Sequence, residues 1–489
     1  MPTRKVTRRQ WLKRSAALAA GVGAAAAAPV VMPARAFGAA DAVRIGVIGI
    51  RLRGGQLVDQ FRRLPGVRVT AICDADTALF AGQLKKFDSG EEKVAAHVDF
   101  RRILDDPRID AVAIASPDHW HALMTVWACQ AGKDVYVEKP VSYNISEGRK
   151  MVEAARTHKR IVQTGTQNRS DTGLKAALAY LAEGPIGRMR LGLGFDFTGR
   201  RSIGTVDGPQ PIPETVNYDL FRGPAPLVPL LRKTFHYDWH WFWDTGTGDC
   251  GNRGVHTFDM LRWFTGQKAL PPRVVSIGGR FGWDDNGETP NTQITLFAYE
   301  PVPIIWEMTS LPRRQVDRQE DRFRGNRASM MFDFEGGYLC GHRGGARVHA
   351  WDHKLIRAFK GDGGGTHYAN FIDAVRSRKD EDLQADILEG HLSSALCHLA
   401  NVSYLLGRHR PTDAVKEAVG DHPVLGPALE DLLGNLTHNG VDLAKIRPTH
   451  GATLTLDTEK ERFVGEAADW ANMYLERTYR RPFVMPENV

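Results

Sequence analysis

Residues 43–74 constrain this chain more than any other stretch. They read as an apolar strand (Arg44–Ile48), a glycine turn, a helix and a second apolar strand (Val67–Cys73) that ends in Asp74. Gly49 allows the tight bend from strand to helix, and Gly54 lets the helix sit close against the strand. The backbone N–H groups at the helix start then face an anion such as a pyrophosphate. Asp74 stands twenty residues beyond Gly54. A carboxylate there accepts hydrogen bonds from ribose hydroxyls and repels a 2′-phosphate, which points to NAD. Arg51 occupies the place of the usual second glycine. Its guanidinium either swings out to meet the phosphates or reaches a 2′-phosphate, so NADP stays open beside NAD.

The alternation continues. Short apolar strands at Ala111–Ala115, Asp134–Val137 and Ile161–Thr164 are separated by helices expected at Gly55–Leu64, Ala122–Ala131 and Ile145–His158. Strands that are apolar throughout belong to a parallel sheet covered on both faces. Asn144 with Glu147 three residues on makes a capping-box start for the third helix. After about residue 168 the texture changes. A helix at Leu174–Ala182 is followed by longer strands at Met189–Phe197, Arg273–Gly279, Gln293–Tyr299, Pro303–Met308 and Ser329–Phe334, then helices at Tyr368–Arg378 and Asp386–Leu406. The fold class is α/β: an N-terminal Rossmann dinucleotide-binding domain, then an α+β domain with an open-faced, mostly antiparallel sheet.

Composition matters chiefly for what it excludes. The chain has 489 residues, 64 of them basic and 57 acidic. Residues 1–40 hold seven basic side chains (Arg4, Lys5, Arg8, Arg9, Lys13, Arg14 and Arg35) and no acidic one, so the remainder is balanced at 57 of each. Such a neutral body gives no electrostatic case for nucleic acid. The basic start is instead an export signal: "TRRQWLK" (Thr7–Lys13) is a twin-arginine motif, Ala16–Val31 a weakly apolar run, and Ala34–Ala36 a cleavage site. The expected location is periplasmic, or otherwise exported by the twin-arginine machinery, with no stable membrane span in the mature chain. That route carries folded proteins, typically with their cofactor. Five scattered cysteines suggest neither a disulfide framework nor a metal site.

Two further motifs carry chemistry. "DVYVEKP" (Asp134–Pro140) ends one strand with Glu-Lys-Pro, and "SPDHWHA" (Ser116–Ala122) follows another. With the glycine loop and the segment "WDTGTGDCGNRGVHTFDML", the chain resembles the Gfo/Idh/MocA oxidoreductases over nearly all of residues 43–410, most of all the exported bacterial members. The resemblance implies domains at 41–167 (nucleotide) and 168–410 (substrate and oligomerisation), between the signal at 1–40 and an extension at 411–489. It implies an active site in the cleft between the domains and a homo-oligomer, dimer or tetramer. It implies that Lys139 lies beside the nicotinamide and hydrogen-bonds the substrate hydroxyl, where an ammonium stabilises the forming alkoxide, with Glu138 orienting it. His256 is the implied general base. Its orienter, an Asp in the family, is matched here by Asn252, so Asp249 one turn earlier could substitute. Asp259 matches a family acidic position. The cofactor-binding set is Gly49, Arg51, Arg53, Gly54, Asp74, Ser116, Asp118, Trp120, His121, Glu138, Lys139 and Gln167, with Gln163 and Thr166 also lining the cleft; no metal ligands are read.

"FHYDWHWFWD" (Phe235–Asp244) holds six aromatic residues in ten. Rings flanked by polar groups suit the C–H faces and hydroxyls of a carbohydrate, though such rings also build cores. The expected function is transfer of hydride between a sugar or polyol carbon and a tightly bound nicotinamide. The alternative is an NAD-dependent glycosidase, in which transient oxidation permits elimination and re-reduction restores the sugar. A sugar-binding protein without turnover is a third reading, motivated by Arg51 and Asn252.

Overall fold

The computed structural model describes residues 41–88, 93–312, 322–323, 326–327 and 329–489; the expected export signal lies outside them. The first domain is a parallel sheet of β1 (Val43–Ile48), β2 (Val67–Cys73), β3 (Ala95–His97), β4 (Ala111–Ile114), β5 (Asp134–Val137) and β6 (Val162–Thr164). Its order is β3-β2-β1-β4-β5-β6. The chain runs outward from β1 to β3, then returns to place β4 on the other side of β1. Ligands of such sheets lie in the crevice at that reversal, beyond the carboxyl ends of β1 and β4.

The first two helices begin earlier than their apolar pattern suggests. α1 (Leu52–Phe61) starts inside the glycine loop, because Arg51 is extended (φ −78°, ψ 164°) and the turn is complete before Leu52. α2 (Asp118–Gln130) takes in the polar Asp118–His121, all buried. α3 (Ile145–Thr157) is capped as expected: Asn144 accepts from Glu147 N–H and the Glu147 carboxylate accepts from Tyr143 N–H. β3, three residues long, carries no apolar run that would have marked it.

The second domain is a large sheet built on β7 (Met189–Phe197), β8 (Arg273–Gly279), β9 (Thr292–Phe297) and β10 (Ile304–Thr309). β11 (Met330–Phe334), β12 (Gly337–His342), β13 (Gly345–Ala350) and β14 (Leu355–Lys360) continue it to one edge. Neighbours are antiparallel except β7 with β10. α4 (Thr172–Ala182) connects the domains. α5 (Val255–Thr265) and the nineteen-residue α6 (Ile387–Leu405) pack on one face through Phe258, Leu261, Leu396 and Leu399.

The other face is less open than expected. Leu425–His438 presents Leu429, Leu432, Leu433 and Leu436 to Phe195, Ile294 and Leu296. The 411–489 stretch also feeds strands into the same sheet, with Thr449–His450 and Leu454–Asp457 pairing to β8. Its last residues return to the first domain. Phe483, fully buried, meets the Trp120 ring edge-on at 5.2 Å. Among the described residues no helix is long and apolar enough to cross a membrane, and all five cysteines are buried thiols.

Candidate functional site

A cleft opens at the carboxyl ends of β1 and β4. Gly49, Arg51, Asp74, Ser116, Lys139 and Asn252 are among the residues that line it. Gly49 has φ +78°, and a Cβ there would lie 2.7 Å from the Ala115 carbonyl and Ser116 nitrogen. A Cβ on Gly54 would lie 1.5 Å from the Gly49 carbonyl oxygen. Both positions therefore exclude any side chain, and the turn they allow is a cradle for a pyrophosphate. No side chain caps α1, so its first-turn N–H groups are left for a ligand. Leu52 sits at φ +23°, a strained value for a branched residue in such a loop.

Asp74 closes the nucleotide end. Its carboxylate accepts from Ile50 N–H at 2.9 Å and Asp76 N–H at 3.0 Å, which aims it across the loop. Burial pushes its carboxyl above the usual range, against those two donors. Glycine cradle, uncapped helix start and aimed carboxylate fit a dinucleotide. Arg51 lines the same cleft and makes no side-chain hydrogen bond or ion pair among the described residues, so its guanidinium is free to meet phosphate. Arg53 is not free: it pairs with Glu138 at 2.7 Å and donates to the Tyr368 hydroxyl at 2.8 Å.

Lys139 reaches the other wall. Its Nζ donates to the Asn252 backbone carbonyl at 2.7 Å, and the Lys139–Pro140 peptide is cis. Asn252 belongs to a π-helical turn, Cys250–Gly254, that leads directly into α5 and His256. Such turns recur at functional sites because they re-aim side chains without ending the helix. His256 is half-buried. Burial first, then the Lys139 ammonium and three arginines, push its imidazole well below 6.5, so it is neutral near pH 7 and holds a free lone pair.

Asp249 makes no hydrogen bond to His256 among the described residues. It accepts from Arg200 Nε at 2.6 Å, from the Ser310 hydroxyl at 2.8 Å and from the Asn252 amide at 3.2 Å. Burial opposes its charge, but Arg200 and His240 hold the carboxyl below its ordinary value. It anchors Asn252 through the amide bond. Asp259 is likewise committed, to Arg169 at 2.9 Å and Ser393 at 2.8 Å.

Among the other expected cofactor contacts, Asp118, Trp120 and His121 line the cleft, and Gln167 stands behind it. Gln167 is buried and donates to the Tyr136 hydroxyl at 2.8 Å, standing behind Glu138. Gln163 donates to the His367 carbonyl, and the buried Thr166 hydroxyl makes no hydrogen bond. His121 places its ring nitrogens against the Ser116 and Pro140 carbonyls at 2.7 and 2.6 Å, tying two strand-end loops together. Trp120 borders the cleft, but it is 2% exposed and its indole donates to the Leu220 carbonyl. Asp118 is buried, accepts from the Thr247 hydroxyl at 2.7 Å, and is pushed up by burial.

The aromatic run divides. His236, Tyr237 and Trp239 line the cleft. Trp241 is core, stacked under Arg280 at 4.7 Å. Sequence reading did not foresee that residues 215–236 cross over to the nucleotide domain. Asn217 N–H donates to the Ala75 carbonyl, Thr77 N–H to Thr215, and His236 meets Asp76 at 2.8 Å. No local pattern marks so distant a pairing.

Residues 43–166 match the family model described as an oxidoreductase family, NAD-binding Rossmann fold, and residues 188–299 match its C-terminal alpha/beta domain. A glycosyl hydrolase family 109 protein of Saccharopolyspora erythraea is 30% identical over 207 residues, covering 38% of this chain and 45% of that protein. The match thus spans less than half of that relative's length. An alpha-N-acetylgalactosaminidase of Tannerella forsythia is 27% identical over 465 residues, 82% of this chain and 94% of that protein. The WlbA dehydrogenase of Bordetella pertussis, solved in complex with NADH and UDP-GlcNAcA, shares the fold: TM-score 0.53 at 17% identity, covering 74% of this chain and 95% of that one. These two regions are thus similar to the NAD-binding Rossmann domain and the C-terminal domain of the Gfo/Idh/MocA oxidoreductases.

Proposed function

We propose that the protein transfers hydride between a hydroxyl-bearing carbon of a carbohydrate and a nicotinamide retained in this cleft. The observation that carries the reading is a convergence: the cleft that holds the Gly49 turn and Asp74 is also lined by Lys139, Asn252, Tyr237 and Trp239. Bound NAD supplies the hydride acceptor. The Lys139 ammonium donates to the substrate oxygen and stabilises negative charge as it develops there. The neutral His256 takes the hydroxyl proton. The alcohol thereby loses a hydride and a proton and becomes a carbonyl. Asp249 and Asn252 fix the turn that carries the base, and the rings of Tyr237 and Trp239 offer faces for the sugar C–H groups.

The twin-arginine start supports export of a folded, cofactor-loaded protein, in which a retained nicotinamide must be reoxidised in place. The test is mass spectrometry of nucleotide released from purified full-length protein, then a sugar screen read at the reduced-nicotinamide absorbance. NAD recovered with the protein and reduced by a sugar or polyol is expected. Protein that neither retains nucleotide nor exchanges hydride with any sugar overturns the reading.

A second reading is favoured by the relative matched along 94% of its length, which is named an alpha-N-acetylgalactosaminidase. Here oxidation is transient, a glycosidic bond is eliminated, and no reduced cofactor accumulates. Release of an aglycone without net absorbance change selects it.

A further inference from the structure

Two arginines next to the site have charge to spare. Arg253 lies three residues before His256, on the π-helical turn of Asn252. Its Nε is buried and makes no hydrogen bond among the described residues, and the Asp196 carboxylate stands 3.8 Å away. Asp196 is a weak counter-ion: burial pushes its carboxyl up to about 6, and Trp306 Nε1 donates to its other oxygen at 2.7 Å.

Arg343 comes from the turn between β12 and β13. Its Nε donates to the Gly363 carbonyl at 3.0 Å, and its terminal nitrogens have no partner among the described residues. The loop that holds it packs on the first domain. A Cβ on Gly364 would lie 2.1 Å from the Gln167 carbonyl oxygen, and Gln167 stands behind Glu138. The turn is thus brought to the end of the sheet where the cleft opens. Arg253, Arg343, Lys139 and Arg53 all act on the His256 imidazole. Of these, Arg53 is neutralised by Glu138.

We propose that Arg253 and Arg343 form an anion subsite beside His256, and that the carbohydrate bears an acidic group, carboxylate or phosphate, which they hold. The proposal rests on the oxidoreductase reading and names its substrate class. A guanidinium fork matches either oxyanion. The bound anion also supplies the negative charge that Asn252, as an amide, does not. Its arrival offsets the cations around His256 and raises the imidazole toward the range in which it accepts a proton well. A neutral sugar leaves those charges facing each other.

The test uses full-length, NAD-loaded protein, with R343Q and R253Q. Calorimetric titration with D-glucuronate, D-galacturonate, D-glucose 6-phosphate, D-glucose and D-galactose is run beside initial rates. At least one acid is expected to bind wild type about tenfold more tightly than its neutral parent, and each substitution to weaken that acid by on the order of tenfold while leaving the neutral sugar unchanged. A better uronate points to carboxylate, a better phosphosugar to phosphate. Arg343 is exposed, so R343Q keeps the test valid if R253Q, which strips Asp196 of its nearest cation, fails to fold. The proposal falls if no acid binds, if neutral sugars bind as tightly, or if R343Q weakens acid and neutral sugar alike. If an acid binds and R343Q releases it, yet no sugar reduces the cofactor, the subsite stands and the oxidoreductase reading falls.

Discussion

Gly54 and Gly55 are neighbours on the same helix, and the structure assigns them opposite responses to alanine. In a helix interior, glycine to alanine gains about 1 kcal/mol. At Gly55 the new methyl would meet the Gln83 amide nitrogen at 2.7 Å and the Ile50 carbonyl oxygen at 3.3 Å. The amide is the far end of a flexible side chain, and its movement forfeits one hydrogen bond to Ile50, about 1 kcal/mol. Gly55→Ala is therefore expected to be nearly neutral. At Gly54 the methyl would lie 1.5 Å from the Gly49 carbonyl oxygen, which is backbone and cannot swing away. The helix must retreat by about 2 Å to restore ordinary contact. That retreat loosens Leu57, Val58 and Phe61, all fully buried. A cost of at least about 3 kcal/mol follows, a melting point lower by on the order of 10 °C. The uncapped N–H groups move with the helix. Losing one or two charge-assisted hydrogen bonds lowers NAD affinity by on the order of 100-fold. Thermal melts with and without NAD, with a fluorescence titration, read both effects. The reasoning fails if Gly54→Ala keeps NAD affinity within about threefold of wild type, or if Gly55→Ala is equally damaging.

Three other outcomes are expected. Lys139→Met should lower kcat by about 10²–10³ while leaving NAD affinity intact, because its ammonium donates to a backbone carbonyl, that of Asn252; steady-state rates with a turned-over sugar check this, and full activity removes Lys139 from the chemistry. Burial pushes His119 and His398 down to about 3 and His240 and His367 to about 4. Below their unfolded value near 6.5 the unfolded chain takes up protons that the folded one refuses. Their contribution is thus complete above that pH and is lost on acidification, by up to about 1.4 kcal/mol per pH unit for each. Melting temperature should hold level from about pH 7 to 8 and fall steeply below about 6.5, whereas a level profile down to about pH 5 contradicts neutral burial of these rings. Phe483→Ala empties the contact with Trp120 and should cost about 3 kcal/mol, or release the tail from the first domain; limited proteolysis detects the freed tail, and unchanged cleavage speaks against a bracing role.

What a sequence determines is whatever rests on neighbours in the chain. The strand-glycine-helix unit, the apolar parallel strands, the capping box at Asn144 and the lysine at the end of β5 are local features, set by residues a turn or a strand apart. Their place in the fold could be read from period and spacing. The strands β12 to β14 were not marked by such a signal, and neither was the pairing of the 449–457 strands with β8. Tertiary structure alone decided which polar residues were available. Asp249 looked able to replace the missing carboxylate beside His256, yet Arg200 and Ser310, 49 and 61 residues away in sequence, had already claimed it. Arg53 was expected among the cofactor-binding residues, yet Glu138 and Tyr368 occupy its guanidinium. Arg253 and Arg343 showed nothing in sequence; the fold left Arg253 with one distant carboxylate, Asp196 at 3.8 Å, and the terminal nitrogens of Arg343 without a partner among the described residues. Each donor and acceptor can make only a few bonds, and the competition for them is settled by residues that meet only when the chain has folded.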